Sequence, residues 1–206
     1  MIRFLIISLL SVFFFSCKSY TIPNATAKKL EVSEIKNPYF SNPETDYVYK
    51  AHIEVYGRKM GGLFIAKRIN DSLHRVVFTT DFGNKLIDFE LSETTFKVNY
   101  ILEDLNRKMI VNTLRDDFRL LLKVNHPVVQ LLENEDSDIY KSVSGKRFNY
   151  FFISKKQQQL VKLVHTTKSK EKIIFEFDSK NSIFAQSIKI NHKTIPLTIE
   201  LNQISN

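Results

Sequence analysis

The chain has 206 residues, which suits a single domain, and its formal net charge is +8 at pH 7. One cysteine excludes an internal disulfide, so the fold depends on a hydrophobic core built from the 43% of residues that are hydrophobic. Lysine and arginine are spread through strand-like segments. This favours a solvated basic surface, or one that faces anionic headgroups, over a nucleic-acid site.

The N-terminal segment is typical of export. Arg3 supplies a short positive region, residues 4–15 form an apolar run, and Ser16 and Cys17 follow. A small residue before a lone cysteine resembles a bacterial lipobox, which implies that residues 1–16 are a signal peptide and that Cys17 is acylated. Two or more acyl chains anchor a protein stably. The alternatives are an ordinary secretory signal with an incidental cysteine and a short membrane anchor.

Residues 17–45 are predicted to be the lipidated N-terminus and a flexible tether, because Pro23, Pro38 and Pro43 interrupt a polar segment with little hydrophobic periodicity. Residues 46–206 are predicted to be a β domain. Alternation of apolar and polar residues starts there, and the short spacing of the segments predicts an antiparallel meander. The first predicted strands are residues 46–56, 63–69, 73–80, 85–91 and 95–101.

The periodicity then becomes helical. Asn106 is a candidate N-cap, Ile110, Leu114 and Phe118 lie on one face, and Pro127 predicts an end near residue 124 or 125. Residues 128–146 are predicted to be irregular, and five more strands follow. The predicted fold is mainly β, an unclosed antiparallel barrel or strongly curved sheet of about ten strands with one central helix on its concave side. The later predicted strands are residues 147–153, 160–166, 172–178, 183–191 and 194–204.

Residues 73–91 resemble the strand, glycine-tipped hairpin and returning strand of the LolB-type outer-membrane lipoprotein-localisation receptors and the wider LolA/LolB-like fold. The strand that ends near Lys67 and Arg68, and residues 195–199, also fit that pattern. The resemblance covers most of residues 47–202 by order of elements. The sequence departs from the family in having no tryptophan.

This resemblance implies a helical lid, an apolar cavity for acyl chains, and no catalysis. In that family a leucine on the protruding hairpin helps to take over and insert cargo, and the matching residues here are Phe82 and Gly83. By analogy with Gram-negative sorting, Lys18 after the cysteine implies the outer membrane, facing the periplasm. The implied partners are membrane lipid and an acyl-chain or lipoprotein cargo. The predicted cavity residues are Phe64, Phe78, Phe89, Phe96 and Phe118.

No catalytic residue, metal ligand or cofactor is predicted. The five histidines are far apart in the sequence and lack the spacing of a helical zinc site, so each is interpreted as an ordinary surface or strand histidine. Asp116 and Asp117 point about 100° apart on a helix and are poor partners for acid–base chemistry. The acidic residues 133–138 lack the ligand spacing of a calcium loop.

Three functions remain open from the sequence. The first is a carrier of an apolar ligand, which predicts an open apolar cavity of several hundred Å³. The second is a structural or adaptor lipoprotein of an envelope complex, with a filled concave face and a protein partner. The third is a hydrolase, which predicts a cleft with clustered polar groups and perturbed carboxylates.

Overall fold

The structure, a computed structural model, describes residues 19–180 and 183–204. The predicted signal peptide and Cys17 lie outside the described residues. Fifteen strands and one α-helix are found there. The strands are β1 (Thr26–Lys28), β2 (Glu34–Lys36), β3 (Asp46–Val55), β4 (Arg58–Arg68), β5 (His74–Thr79), β6 (Lys85–Leu91), β7 (Phe96–Ile101), β8 (Asn125–Pro127), β9 (Gln130–Glu133), β10 (Ser137–Ser144), β11 (Arg147–Ser154), β12 (Leu160–Thr166), β13 (Glu171–Asp178), β14 (Ser187–His192) and β15 (Leu197–Gln203).

Thirteen strands form one curved antiparallel sheet that does not close. Their order is β1-β9-β10-β11-β12-β13-β14-β15-β3-β4-β5-β6-β7, and β2 pairs separately with β8. A 3-10 turn at Glu103–Leu105 leads into helix α1 (Lys108–Leu122), which packs on the concave face. The predicted fold class is therefore confirmed.

The concave core follows directly from alternation along the strands. In β3 every second side chain from Tyr47 to Ala51 is buried, and β15 buries Leu197, Ile199 and Leu201 beside it. The helix adds Phe118, Leu121 and Leu122 over this surface. Burial of one such side chain stabilises the fold by about 1.5–3 kcal/mol.

Five turns lie at one end of the sheet, because antiparallel hairpins return at the same edge. They are residues 56–57, 80–84, 145–146, 167–170 and 193–196, and we call this end the rim. The fold thus gathers basic residues that are scattered in the sequence, and the acids in or beside the same turns are Glu54, Asp81 and Glu171. The basic residues in or beside the rim turns are Arg58, Lys59, Lys85, Lys146, Arg147, Lys168, Lys170, Lys172 and Lys193.

The helix ends differ in part from the prediction. Asn106 ends the 3-10 turn and does not cap α1; Arg107 is the N-cap and makes no side-chain capping hydrogen bond. At the other end Arg119 Nε donates to the Ser92 carbonyl at 2.8 Å and its Nη2 donates to the Thr95 carbonyl at 2.9 Å. These bonds join the last turn of α1 to the loop between β6 and β7.

The prediction of a flexible tether is wrong for residues 19–45. Strand β1 pairs with β9, β2 pairs with β8, and the side chains of Tyr39 and Phe40 are fully buried. Tyr39 donates its hydroxyl to the Leu160 carbonyl at 2.9 Å, and Asn37 Nδ2 donates to the Leu121 carbonyl at 2.9 Å. Tyr39 and Phe40 belong to no apolar repeat with strand or helix spacing, so the sequence pattern does not predict that they join the core.

Residues 128–146 also differ from the prediction, since they contain β9 and β10. The acidic residues form the turn between these strands, where Asn134 Oδ1 accepts the amide hydrogens of Asp136 and Ser137. Ile139 in β10 is fully buried on the convex side of the sheet. It belongs to a second cluster that Tyr20 and Ile22 of the N-terminal segment cover.

Candidate functional site

An apolar cavity lies between the first half of α1 and the rim ends of β3, β4 and β15. Its volume is about 90 Å³, and the only polar groups among its lining side chains are the hydroxyls of Tyr56 and Thr113. The remaining lining residues are Ala51, Ile53, Val55, Met60, Phe64, Phe78, Ile87, Leu105, Met109, Ile110, Leu114, Phe118, Ile195, Leu197, Ile199 and Leu201.

The structure brings together three of the five phenylalanines predicted to form such a cavity. Phe64, Phe78 and Phe118 line it, and the ring centroids of Phe64 and Phe118 are 5.4 Å apart. Phe89 and Phe96 do not line it. They pack on each other farther along the concave face, with ring centroids 5.1 Å apart.

The cavity opens at the rim. Tyr56, in the β3–β4 turn, is 59% exposed, and Met109, on the first turn of α1, is 58% exposed. Ligand pockets usually have volumes of ~300–1,000 Å³. The cavity of about 90 Å³ therefore takes only a short apolar segment while α1 stays in place.

The hairpin between β5 and β6 presents Phe82 at the rim, where it is 94% exposed. Gly83 has φ +83°, a conformation that glycine adopts without strain. Thr80 and Asn84 close the turn with a backbone hydrogen bond of 2.8 Å, and Asp81 forms an ion pair with Lys50. Phe82 is thus held outwards by a fixed turn and is not folded back onto the sheet.

A polar cleft of about 680 Å³ lies on the other flank of α1, against the rim ends of β10–β14. The pairing of the strands places five side chains in one row across this part of the sheet: Ser142, Asn149, His165, Ile173 and His192. Four of these five side chains are polar. We call them, with Ile173, the polar row.

One step deeper in the sheet, the next row on the same face is almost wholly apolar. The pairing aligns Tyr140, Phe151, Leu163, Phe175, Ile190 and Ile199. The concave face therefore changes from an apolar to a polar lining within two residues of the rim. Since the strands alternate, the polar row occupies positions that a core-forming sheet would fill with apolar side chains.

Asp117 on α1 reaches the polar row and is almost completely buried, with 1% of its surface exposed. His192 Nε2 donates to Asp117 Oδ2 at 2.8 Å, and Asp117 Oδ1 has no hydrogen-bond partner among the described residues. Burial raises the pKa of Asp117, although the bond from His192 opposes that shift. The neighbouring Asp116 also lines the cleft, and it pairs with Arg115.

The two other histidines of the cleft are held neutral. Burial lowers the pKa of His126 to about 4, and its Nε2 lies 3.0 Å from the Lys123 carbonyl. Burial and the charge of Arg147 lower the pKa of His165 to about 4. His165 Nδ1 lies 2.6 Å from Asn149 Oδ1.

His126, His165 and His192 are strand histidines, as interpreted from the sequence, and the structure adds that all three line one cleft. The sequence held a signal for two of them. His165 and His192 follow Leu163 and Ile190 by two residues, so each falls on the buried face of its strand. Within residues 19–180 and 183–204, no three His, Cys, Asp or Glu side chains are arranged to hold a metal ion.

In the described part of the chain, α1 is neither long nor apolar enough to span a membrane.

Among solved structures, the LolA superfamily protein NE2245 from Nitrosomonas europaea is similar, with a TM-score of 0.50 and 8% sequence identity over 81% of this chain and 87% of that chain. An outer membrane lipoprotein-sorting protein domain from Vibrio parahaemolyticus has a TM-score of 0.45 and 7% identity, covering 78% and 83%.

A DUF1329 family protein from Desulfovibrio piger has a TM-score of 0.40 and 8% identity, covering 78% of this chain and 84% of that chain. No family profile and no curated protein matches the sequence. The fold is thus LolA/LolB-like, as the resemblance implied. Identity at this level shows the fold alone.

Proposed function

We propose that the protein is a non-catalytic envelope lipoprotein, anchored through acylation of Cys17, that binds or transfers an acyl chain as a LolB-type receptor does. The observation that carries this proposal is the apolar cavity between α1 and strands β3, β4 and β15. It opens at the rim, and no charged side chain lines it. An acyl chain gains about 0.8 kcal/mol for each methylene that leaves water there.

Unequal attachment of the two halves of α1 supports entry of a longer chain. The second half is fixed by the Asp117–His192 bond, by the two bonds from Arg119, and by the bond from Asn37 to the Leu121 carbonyl. In the first half, residues 108–114, no side chain hydrogen-bonds another element, and none is fully buried. Local opening is cheapest where such attachments are fewest, so the first half of α1 acts as the lid.

The rim is the end of the molecule that faces the membrane in this proposal. Tyr20 is docked beside the β12–β13 turn, where its amide donates to the Lys168 carbonyl at 2.7 Å and its hydroxyl donates to Glu171 at 2.9 Å. Two residues lie between Tyr20 and Cys17, so the two positions are at most ~10 Å apart along the chain. An acylated Cys17 therefore keeps the rim close to the bilayer, where its cations meet anionic headgroups and Phe82 inserts.

One observation favours the alternative function as a structural or adaptor lipoprotein. A cavity of about 90 Å³ is smaller than a carrier with a preformed site would have. A lipoprotein that holds an envelope partner and no ligand would need no larger cavity. The two functions differ in whether an acyl chain enters beneath α1.

The test is to fill the cavity from the helix. Ile110 lines it, and Ile110→Trp should block the space under the lid and lower the uptake of a fluorescent fatty acid by at least tenfold. Val111, the next residue, does not line the cavity, so Val111→Trp is the matched control and should bind like the wild type. Native mass spectrometry of the full chain, purified in a mild detergent, should show acyl species on the wild type and the control alone.

Two results would reject the carrier function. One is a wild-type protein that carries no acyl species and takes up no probe. The other is equal uptake by Ile110→Trp and the wild type, which would place the probe elsewhere. In either case the adaptor function would lead, and a search for an envelope protein partner would follow.

A further inference from the structure

The apolar cavity and the polar cleft are parts of one continuous lining. Thr113 of α1 contributes to both, and in the β14–β15 turn Thr194 lines the cleft while the next residue, Ile195, lines the cavity. Asp117 lies one helical turn after Thr113, a separation of about 5–6 Å between side-chain origins. A ligand whose chain lies in the cavity therefore has its polar end beside the cleft.

Two of the basic side chains that line the cleft have no acidic or carbonyl partner within the described residues. Arg119 is bonded to two carbonyls, and Lys123 pairs with Glu93 at 2.9 Å. Arg147 and Lys172, by contrast, form no ion pair within the described residues. They lie on β11 and β13, two strands or about 10 Å apart, so a group placed between them is within reach of both side chains.

The cleft also contains an acceptor without a donor. Asp117 Oδ1 is buried and unpartnered, whereas Oδ2 accepts the bond from His192. An unsatisfied buried carboxylate oxygen costs stability unless a donor reaches it. Strand β14, which carries His192, is the neighbour of β13, which carries Lys172, so the partner of Asp117 and the cation lie on adjacent strands.

We propose that the polar cleft binds the headgroup of the same amphiphile whose acyl chain occupies the cavity, with a phosphate held by Arg147 and Lys172 and a headgroup hydrogen-bond donor directed at Asp117. This inference rests on the proposed acyl-chain function and names its ligand class. The ligand is a phospholipid with a donor beyond its phosphate, either the ammonium of phosphatidylethanolamine or the hydroxyls of phosphatidylglycerol. The bilayer beneath the rim is the source of that lipid.

Four lipids with identical acyl chains separate the parts of this inference. Phosphatidylethanolamine and phosphatidylglycerol have both phosphate and donor, phosphatidylcholine has phosphate without a donor, and diacylglycerol has a donor without phosphate. Competition for the full chain, followed by native mass spectrometry, should show the first two bound at least tenfold more tightly than the last two. A tenfold preference equals about 1.4 kcal/mol, close to the lower end of the range for one hydrogen bond to a charged group.

Charge-matched variants test the residues. Arg147→Gln and Lys172→Gln should remove the preference for phospholipid over diacylglycerol. Lys146→Gln and Lys170→Gln remove the same charge from exposed neighbours that do not line the cleft, and should keep the preference. Asp117→Asn replaces one oxygen by an amide nitrogen at similar volume, and should remove the discrimination against phosphatidylcholine.

The outcomes distinguish this inference from the function on which it rests. If all four lipids bind equally well, or if the cleft variants and their controls behave alike, the headgroup site is refuted while the carrier function stands. If no lipid binds, both fail. A preference for phosphatidylethanolamine over phosphatidylglycerol, or the reverse, identifies the headgroup donor whose hydrogen bond Asp117 accepts.

Discussion

The buried imidazole of His126 makes stability depend on pH in a way that one substitution isolates. Its ring packs on Phe151 with centroids 4.3 Å apart, and its pKa is lowered from 6.5 to about 4 by burial. The unfolded chain therefore binds the proton first as the pH falls. The contribution of His126 to stability is present above pH 6.5 and is lost as the pH falls towards 4.

The magnitude follows from these two values. Between about pH 7.5 and pH 5 the free energy of unfolding should fall by roughly 2 kcal/mol through His126 alone. The raised pKa of Asp117 acts with the opposite sign, and the lowered pKa of His165 acts with the same sign. His126→Gln removes only the first contribution, so the difference between wild type and variant separates it from the others.

The assay is urea unfolding of both proteins at the two pH values. The wild type should lose about 2 kcal/mol more than His126→Gln on going to the lower pH, whatever constant offset the substitution adds. If the two proteins lose the same stability within about 0.5 kcal/mol, His126 is not held neutral by burial, and the description of this part of the cleft is wrong.

Two further predictions concern the sheet and its rim. A Cβ at Gly62 would lie 1.8 Å from the Thr79 carbonyl oxygen, whereas one at Gly61 would meet nothing closer than 3.8 Å. Gly62→Ala should therefore lower the free energy of unfolding by about 1–3 kcal/mol, and Gly61→Ala should leave it almost unchanged. Equal melting temperatures of the two variants would contradict the close approach of β4 and β5 at Gly62. Phe82→Ser, in a Cys17→Ser background that removes the anchor, should weaken binding to anionic vesicles by roughly tenfold without changing the melting temperature, because the exposed ring contributes only when it enters a bilayer. Val129→Ser, at another exposed apolar residue, is its control, and an equal loss for both variants would remove Phe82 from the membrane contact.

Alternation and turn residues were sufficient to predict most of the sheet. The hairpins from β3 to β7 have one clear apolar face each, and Pro127 marked the end of the helix to within a few residues. Strand β11 has apolar residues on both faces, with Phe151 on the concave face and Phe152 on the convex face. The structure shows that Tyr20, Ile22 and Ala25 cover it, so those side chains belong to an ordinary two-sided core.

The elements that were missed depend on contacts between residues distant in the sequence. The N-terminal segment has no hydrophobic periodicity. It is held in place by single aromatic side chains that pack against distant elements, as Tyr39 does at Leu160. In β10 the acidic residues beside Ile139 concealed a strand whose buried face is short. Neither feature can be read from local pattern, because the stabilising partner lies more than a hundred residues away in one case and on a neighbouring strand in the other.

The polar row departs from the pattern of the rest of the concave face, where every second residue of a strand is apolar. Leu163 and Ile190 obey it, and His165 and His192, two residues nearer the rim, do not. A core that needed only stability would continue with apolar side chains there, since a buried aspartate with one unsatisfied oxygen reduces stability. Sequence departs from the locally best choice mainly where function requires it. That the departure occurs beside the mouth of the apolar cavity, at the end where the N-terminal segment docks, is the strongest reason to treat cavity and cleft as one site.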